Sequence, residues 1–342
     1  MTAARLVARC VRGVEEVLAE EVSGLGTVRA VGHREVRFTA RADPAVLGLS
    51  TADDVFVVAA DADGIGRARA GLDRLRCALV AADLDRVLRV REDCGGQPGA
   101  GTLDVSASVL GRRAFNRYDL EDAAGAVLAS RLGLPYRSRR GGVRTPDGGL
   151  SWRVTVVEDR ATVALRIPAR PLHRRSYKAA SVPGTLHPPL AAAMLRLAGP
   201  GKVLLDPCCG AGTIAIEAAL AGTAARVLGS DADPTAVAAS VANGHRSGVT
   251  WTLADAGALP VADGAVDRVV VNPPWARQVR PRGRLAAGPD RLWREVRRVL
   301  APAGRVVALL PEPCAPAGLV VERLLPVSLF GAHPVVAVLA AG

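Results

Sequence analysis

Apolar residues at Val14, Val17, Leu18 and Val22 recur at helical spacing, with Glu15, Glu16, Glu20 and Glu21 on the other side, and predict a helix over Val14–Val22. A short strand at Leu6–Ala8 and a turn at Val11-Arg12-Gly13 precede it. Val28–Val31 and Glu35–Thr39 read as a strand pair across Gly32-His33-Arg34, Asp43-Pro44 as a helix start with an N1 proline, and Val55–Ala59 as a strand. The resulting order β-α-β-β-α-β predicts a ferredoxin-like α+β domain over residues 1–60. A second unit, 61–168, carries a helix over Leu72–Ala82, a strand over Thr102–Val109, a helix over Asp119–Leu132, and strands at Ser151–Val157 and Ala161–Arg166. Arg, Gly and Pro fill Arg137–Gly149, which reads as a surface loop. Prolines 168, 171, 183, 188 and 189 mark an extended, stiff connector, placed at 169–184. From 185 to 342 apolar strands alternate with amphipathic helices. The strands are Lys202–Leu205, Arg226–Ser230, Thr250–Leu253, Asp267–Val271 and Arg305–Leu310, and the helices Thr213–Ala221, Pro234–Arg246 and Asp290–Leu300. That alternation predicts an α/β domain with a doubly wound, mostly parallel sheet. Leu324–Leu329 and Val335–Leu339 read as an antiparallel edge hairpin, and the chain shows no internal repeat.

Two motifs on this last domain carry chemistry. Asp206-Pro207-Cys208-Cys209-Gly210-Ala211-Gly212-Thr213 follows the first strand and feeds a helix. Gly210 and Gly212 let the backbone turn tightly and approach a ligand. The loop therefore offers Asp206, Cys208, Gly210, Gly212 and Thr213 to a nucleotide-like cofactor. Asp231 ends the next strand and is placed to accept ribose hydroxyls; Asp255 follows the third and is placed to accept from an adenine amine, with the Ala256 amide on a ring nitrogen. After the fourth strand comes Asn272-Pro273-Pro274-Trp275. The Asn272 side-chain oxygen and the Pro273 carbonyl are two acceptors for a planar amine, and Trp275 is a ring for stacking. Together the motifs point to methyl transfer from S-adenosylmethionine to a base or amide nitrogen, by alignment rather than strong base catalysis. Asn272 closes the cofactor site as well as the acceptor site. Gly210-x-Gly212-x-x-Ala215 also satisfies a relaxed NAD fingerprint, yet Asp206, Asp255 and Asn-Pro-Pro-Trp have no place in a dehydrogenase.

Composition changes this picture in one respect, its charge. The net charge is +11, from 44 basic and 33 acidic residues, which suits a polyanionic partner. All the basic residues except Lys178 and Lys202 are arginine, a bias that a GC-rich coding sequence also produces. The distribution is more telling. Arg166, Arg170, Arg174, Arg175 and Lys178 form a run without an acid, and eight arginines lie between Arg277 and Arg298 against Asp290 and Glu295. Of these, Arg174, Arg175, Lys178, Arg277 and Arg280 are candidate phosphate contacts beside the site, with base flipping required if the target is paired. No stretch reads as a membrane span or as a signal peptide, so a cytoplasmic location is expected. Six cysteines without a Cys-x-x-Cys pair make neither a disulfide framework nor a metal site, and no metal is expected.

Several segments resemble the THUMP-domain RNA guanine-N2 methyltransferases. Cys10-Val11-Arg12-Gly13-Val14-Glu15-Glu16-Val17-Leu18 is similar to that family's opening strand-turn-helix, and Ser108–Phe115 with the helix after it to its THUMP core. Arg175-Ser176-Tyr177-Lys178 through Leu186-His187-Pro188 resembles the connector into its catalytic fold, and Asp206–Thr213 and Asn272–Trp275 match its catalytic motifs. Trp275 stands where Tyr or Phe is usual, and Ala276 where glycine often follows. The resemblance covers essentially the whole chain. It implies a Rossmann-like class I methyltransferase domain at 185–342 behind ferredoxin-like (1–60) and THUMP (61–168) domains, with S-adenosylmethionine as cofactor. It also implies a tRNA substrate gripped at its CCA end and methylated in the acceptor stem, RNA contacts at Arg112, Arg113 and Arg117, and a monomeric protein. Ribosomal RNA guanine methylation, protein-glutamine or DNA-adenine methylation, and a non-catalytic RNA-binding module stay open as alternatives.

Overall fold

The computed structural model describes residues 3–99, 101–142, 148–275, 279–288, 290–316, 318–329 and 331–342. The chain separates into two compact units, one of Met1–Arg9 with Ala19–Leu172 and one of Cys10–Leu18 with His173–Gly342.

The first unit is built on one sheet. Its elements are β1 (Ala3–Arg9), α1 (Glu15–Ser23, whose first turn lies in the second unit), β2 (Gly26–Gly32), β3 (Glu35–Arg41) and β4 (Asp54–Asp63). They continue with α2 (Gly71–Ala81), α3 (Leu84–Asp93), β5 (Leu103–Val109), α4 (Arg117–Leu132), β6 (Tyr136–Arg137), β7 (Leu150–Val157) and β8 (Arg160–Arg166). The strand order is β2-β3-β1-β4-β8-β7-β5-β6. The first four strands have the ferredoxin-like arrangement expected of them. However, β4 runs on to Asp63 and pairs antiparallel with β8 from Phe56↔Arg166 to Asp63↔Arg160. The segments 1–60 and 61–168 thus share a single hydrogen-bonded sheet rather than two.

Local chemistry explains the departures from the expected elements. The helix expected from Asp43-Pro44 is a short 3₁₀ helix, Pro44–Gly48, capped by the Asp43 carboxylate on the Ala45 amide at 2.9 Å and burying only Val46. α3 was not legible because its surface is heavily charged; Asp83 caps it by accepting from Arg86 N at 2.9 Å, and Leu84, Val87 and Val90 are its buried stripe. α4 has a reciprocal capping box between Asn116 and Asp119 and ends at left-handed Gly133 (φ 64°).

The second unit holds α5 (Pro188–Ala198), β9 (Gly201–Asp206), α6 (Thr213–Ala221), β10 (Ala224–Asp231), α7 (Pro234–Asn243), β11 (Thr250–Leu253) and β12 (Val266–Val271). It closes with α8 (Asp290–Val299), β13 (Leu300–Leu310), β14 (Leu319–Pro326) and β15 (Val335–Ala341). The sheet order is β11-β10-β9-β12-β13-β15-β14, with the first five strands parallel and β15 antiparallel to both β13 and β14. The expected edge hairpin is therefore inserted through its second strand. α5 went unpredicted because its face is apolar almost all round, without a periodic stripe; Leu190–Leu195 is buried throughout. Val269, Val270 and Val271 are fully buried, as are Val306, Val307 and Ala308 beside them, so the centre of the sheet is covered on both faces. Gly13 (φ 100°) lies against the end of β14, where any Cβ would fall 2.1 Å from the Pro326 carbonyl oxygen.

Candidate active site

Strand order places the chemistry. β9 and β12 are neighbours in the middle of the sheet, and their carboxyl ends carry the glycine loop and Asn272–Trp275, 66 residues apart in sequence but facing one cavity. Its volume is about 590 Å³, in the range that encloses a nucleoside-sized ligand. Asp206, Cys208, Gly210, Thr213, Asp231, Ala256, Asn272, Pro273, Trp275 and Arg280 all line it.

The loop is fixed from below. Asp231 Oδ2 accepts from Gly210 N and Oδ1 from Asp233 N, both at 2.9 Å, so one carboxylate holds the loop and the start of α7 together. Gly210 (φ 51°) and Gly212 (φ 82°) take left-handed conformations that a side chain rarely adopts. Gly212 does not line the cavity; it caps α6 and lies under Trp251, whose ring a Cβ there would meet at 2.7 Å. The same ring packs on Gly229 and Gly244. Asp206 is 1% exposed and accepts from Cys208 N at 3.3 Å. Burial, then the Asp231 charge, pushes its carboxyl well above the usual carboxylate range, whereas the Cys208 amide pulls the other way. Burial also pushes the Cys208 and Cys209 thiols up, reinforced by the acids around them, so both are neutral lining groups.

Asp255 is engaged elsewhere than expected. Its Oδ1 accepts from Gly257 N at 2.8 Å and its Oδ2 from Arg284 N at 2.7 Å, and it is not among the cavity-lining residues. It closes its own turn and holds the segment 283–284, where Gly283 (φ 56°) leaves 2.3 Å between a built Cβ and Asp255 Oδ2. Ala256, next to it, does face the cavity.

The acceptor motif is oriented by partners that sequence reading missed. Asn272 Nδ2 donates to the Gly184 carbonyl at 3.3 Å, which leaves its Oδ1 to accept from a ligand. Trp275 Nε1 donates to the Leu309 carbonyl at 3.2 Å, fixing the ring at the cavity wall. The connector from Val182 to Leu186 forms another wall. It is tied down by Asn243, which is 4% exposed and fully bonded. Asn243 Oδ1 accepts from Ala179 N and Ala180 N at 2.8 Å, and its Nδ2 donates to Ala180 O at 3.0 Å and Ala211 O at 2.9 Å. Arg282 pairs with Asp233 at 3.1 Å along the rim. None of these partners has a sequence signal, because each contact joins distant segments.

The arginines expected to meet RNA divide into two groups. Arg175 does not fit that role. Its Nε and Nη2 donate to Glu217 Oε1 and Oε2 at 2.9 and 3.2 Å, and Tyr177 OH donates to the same carboxylate at 2.8 Å, making a largely buried clamp from the connector to α6. Arg113 is also committed, donating to the Gly66 and Glu158 carbonyls with its guanidinium 6.0 Å from the Phe115 ring. Arg117 stacks 4.6 Å over Tyr118 but remains exposed. Arg112, Arg174, Lys178 and Arg280 are exposed, and Arg277 and Ala276 lie outside the described residues.

A parallel sheet closed by an antiparallel strand, with a glycine loop after β9 and an Asn-Pro-Pro-aromatic segment after β12, defines a Rossmann-like methyltransferase. Residues 175–323 match the RMKL-like methyltransferase domain. The chain is 34% identical over 255 residues to tRNA (guanine(6)-N2)-methyltransferase of Thermus thermophilus, covering 70% of this chain and 73% of that protein. The crystal structure of TrmN from Thermus thermophilus superposes with a TM-score of 0.78 at 30% identity over 99% of each chain. Ribosomal RNA large subunit methyltransferase K/L of Methylococcus capsulatus is 30% identical over 61% of this chain, a match that spans only 28% of that larger protein. The chain belongs to this methyltransferase family, and it is a methyltransferase.

The cavity suits S-adenosylmethionine, the methyl donor that such folds use. Asp206 is a buried carboxyl that lines the cavity, and the donor's ammonium or sulfonium would offset the cost that burial places on its charged form. Gly210, at φ 51°, lines the cavity with bare backbone where a ligand can approach closely.

Proposed function

We propose that this protein transfers a methyl group from S-adenosylmethionine to the exocyclic N2 amine of a guanosine in tRNA, in the acceptor stem. Asn272 carries this reading: its amide is anchored on Gly184, so its oxygen faces the same cavity as Asp206 and Asp231. When bound, S-adenosylmethionine supplies an electrophilic methyl group on a sulfonium. Asp206 would hold the donor's ammonium, directly or through a water, and Asp231 would accept from the ribose hydroxyls with the lone pairs that Gly210 and Asp233 leave free. Asn272 Oδ1 and the Pro273 carbonyl accept the two amine hydrogens and aim the nitrogen lone pair at the methyl carbon. With the donor bound, forming the N–C bond would break its S–C bond, and the surplus proton would leave to water. Trp275 stacks on the flipped guanine. Residues 1–60 and 61–168 serve as the ferredoxin-like and THUMP portions of an RNA-gripping unit directed at the CCA end, in a monomeric, cytoplasmic enzyme. The relationship to the Thermus enzyme favours tRNA; the match to methyltransferase K/L favours ribosomal RNA as the second reading.

The test is incubation with tritiated S-adenosylmethionine and unmodified tRNA transcripts, followed by digestion to nucleosides. Label in N2-methylguanosine is the expected result. No label in tRNA with the donor still bound would move the substrate to ribosomal RNA, and label in no RNA at all would overturn the reading.

A further inference from the structure

The first unit carries a second cationic feature, away from the arginines that the sequence singled out. On one face of the sheet Leu6, Phe38, Val57 and Leu165 are buried. The opposite face presents Arg29 from β2, Arg37 from β3, Arg5 from β1, Asp61 from β4 and Arg160 from β8, five consecutive strands. At about 4.8 Å per strand the row is roughly 19 Å long. It lines a shallow depression of about 270 Å³ containing four arginines and one acid.

Asp61 is the hub. It pairs with Arg5, with Arg37 Nη1 at 3.2 Å and with Arg160 Nη2 at 3.2 Å, and it accepts from Thr162 Oγ1 at 2.8 Å. Its position depends on a β-bulge. Val58 pairs with Ala164, but after the shift Ala60 pairs with Val163 and Asp61 with Thr162. Regular pairing would turn Asp61 to the buried face, because a one-residue slip in register inverts every side chain. The bulge brings it under the arginines instead. Arg37 Nη2 also donates to Thr162 Oγ1 at 2.6 Å, and Arg29 Nε to Thr39 Oγ1 at 3.0 Å. The guanidinium groups are thereby held in fixed directions.

Two further acids border the row. Glu35 meets Arg37 at 3.0 Å and Arg9 at 2.9 Å, and Asp63 lies 3.7 Å from Arg160. Arginines still outnumber carboxylates, and crowding like charges costs stability unless an anion meets them. Planar guanidinium forks match phosphate oxygens two at a time. An open row across five strands suits a chain of phosphates better than a single small anion, which an enclosed pocket would hold. We propose that this face is a docking surface for the phosphate backbone of the RNA substrate, with Asp61 as the residue that pre-orients the arginines. The proposal rests on the RNA-methyltransferase reading and adds where the first unit meets that RNA.

The experiment uses full-length protein carrying Arg29→Glu, and separately Arg5→Gln with Arg29→Gln, which avoids placing a new acid beside Asp61. Affinity for an unmodified tRNA transcript is measured by fluorescence anisotropy across a salt series. S-adenosylmethionine affinity and thermal melting are measured on the same samples. The expected result is about tenfold weaker tRNA binding, with the slope of log Kd on log salt reduced by about 1 for each phosphate that the variant no longer meets, and with donor affinity and melting temperature unchanged. Wild-type affinity and slope in both variants would overturn the proposal while leaving the RNA reading intact. If the wild-type protein bound no RNA at any salt concentration, the underlying reading would fail and the proposal with it.

Discussion

The Asn272 side chain and the Gly184 carbonyl are joined by a 3.3 Å hydrogen bond across 88 residues of sequence. That bond decides which end of the amide faces the cavity, with the amino group on the connector and the oxygen free for a target amine. Asn272→Ala removes that oxygen and is expected to cost about 10²–10³-fold in kcat, as deleting one pre-aimed polar group at a reacting centre does. Asn272→Asp keeps an acceptor but cannot donate to Gly184, so it is expected to lose activity as well. Donor affinity, measured calorimetrically, stays near wild type in Asn272→Ala. A parallel fall in donor affinity would instead make Asn272 a cofactor residue first.

Asn272 also shows how far the sequence reaches. Both motifs were legible because each is a contiguous segment in which backbone and side chain do local work, namely glycines at positive φ and prolines fixing a carbonyl. The doubly wound order was legible from apolar strands alternating with helices. Gly184, Asn243, Leu309 and Trp251 were not, because their roles exist only once distant segments meet. The partners of Asp255 were not legible for a related reason. A strand-end acid in sequence says nothing of Arg284 N, 29 residues later, which takes up its carboxylate. Arginine identity was equally silent about the intramolecular bonds of Arg175 and Arg113, since a guanidinium is as apt to staple a connector as to meet a phosphate.

Asp206 should make donor binding depend on pH. Burial raises its folded-state proton affinity, so on its own it stabilises the ligand-free protein below the ordinary carboxylate range, a contribution lost as pH rises through its raised pKa. A cationic donor prefers the ionised form. S-adenosylmethionine affinity is therefore expected to rise with pH through that value and then level off, with a proton released on binding below the plateau. Titration calorimetry in buffers of different ionisation enthalpy measures that proton directly. Asp206→Asn should bind more weakly and without this pH dependence; an unchanged profile would remove Asp206 from the donor site.

Trp275 combines a stacking face with a fixed edge, its Nε1 donating to Leu309 O at 3.2 Å. Trp275→Phe keeps a ring and loses the edge bond, a net cost of about 1 kcal/mol. Trp275→Ala also loses the stack and is expected to cost about 1–3 kcal/mol in kcat/KM for RNA. Donor affinity should change in neither. Equal kcat/KM in wild type and Trp275→Ala would show that the ring does not meet the base.

The clamp of Arg175 and Tyr177 on Glu217 is expected to report as stability rather than as RNA affinity. Side chains of Arg175 and Glu217 are 14% and 6% exposed, and burial with the Glu217 charge pushes the Tyr177 hydroxyl up, so it stays a donor to that carboxylate. Removing either member of the ion pair strands the other in a poorly hydrated place, at about 3–5 kcal/mol for a buried pair. Arg175→Ala and Glu217→Ala should each lower the melting temperature by several degrees. Because the connector carries Gly184 to Asn272, both variants should also lose turnover at temperatures where they remain folded. The salt dependence of tRNA binding separates this from a phosphate contact. In Arg175→Ala the slope is expected to match wild type, whereas a slope reduced by about 1 with an unchanged melting temperature would return Arg175 to the RNA surface.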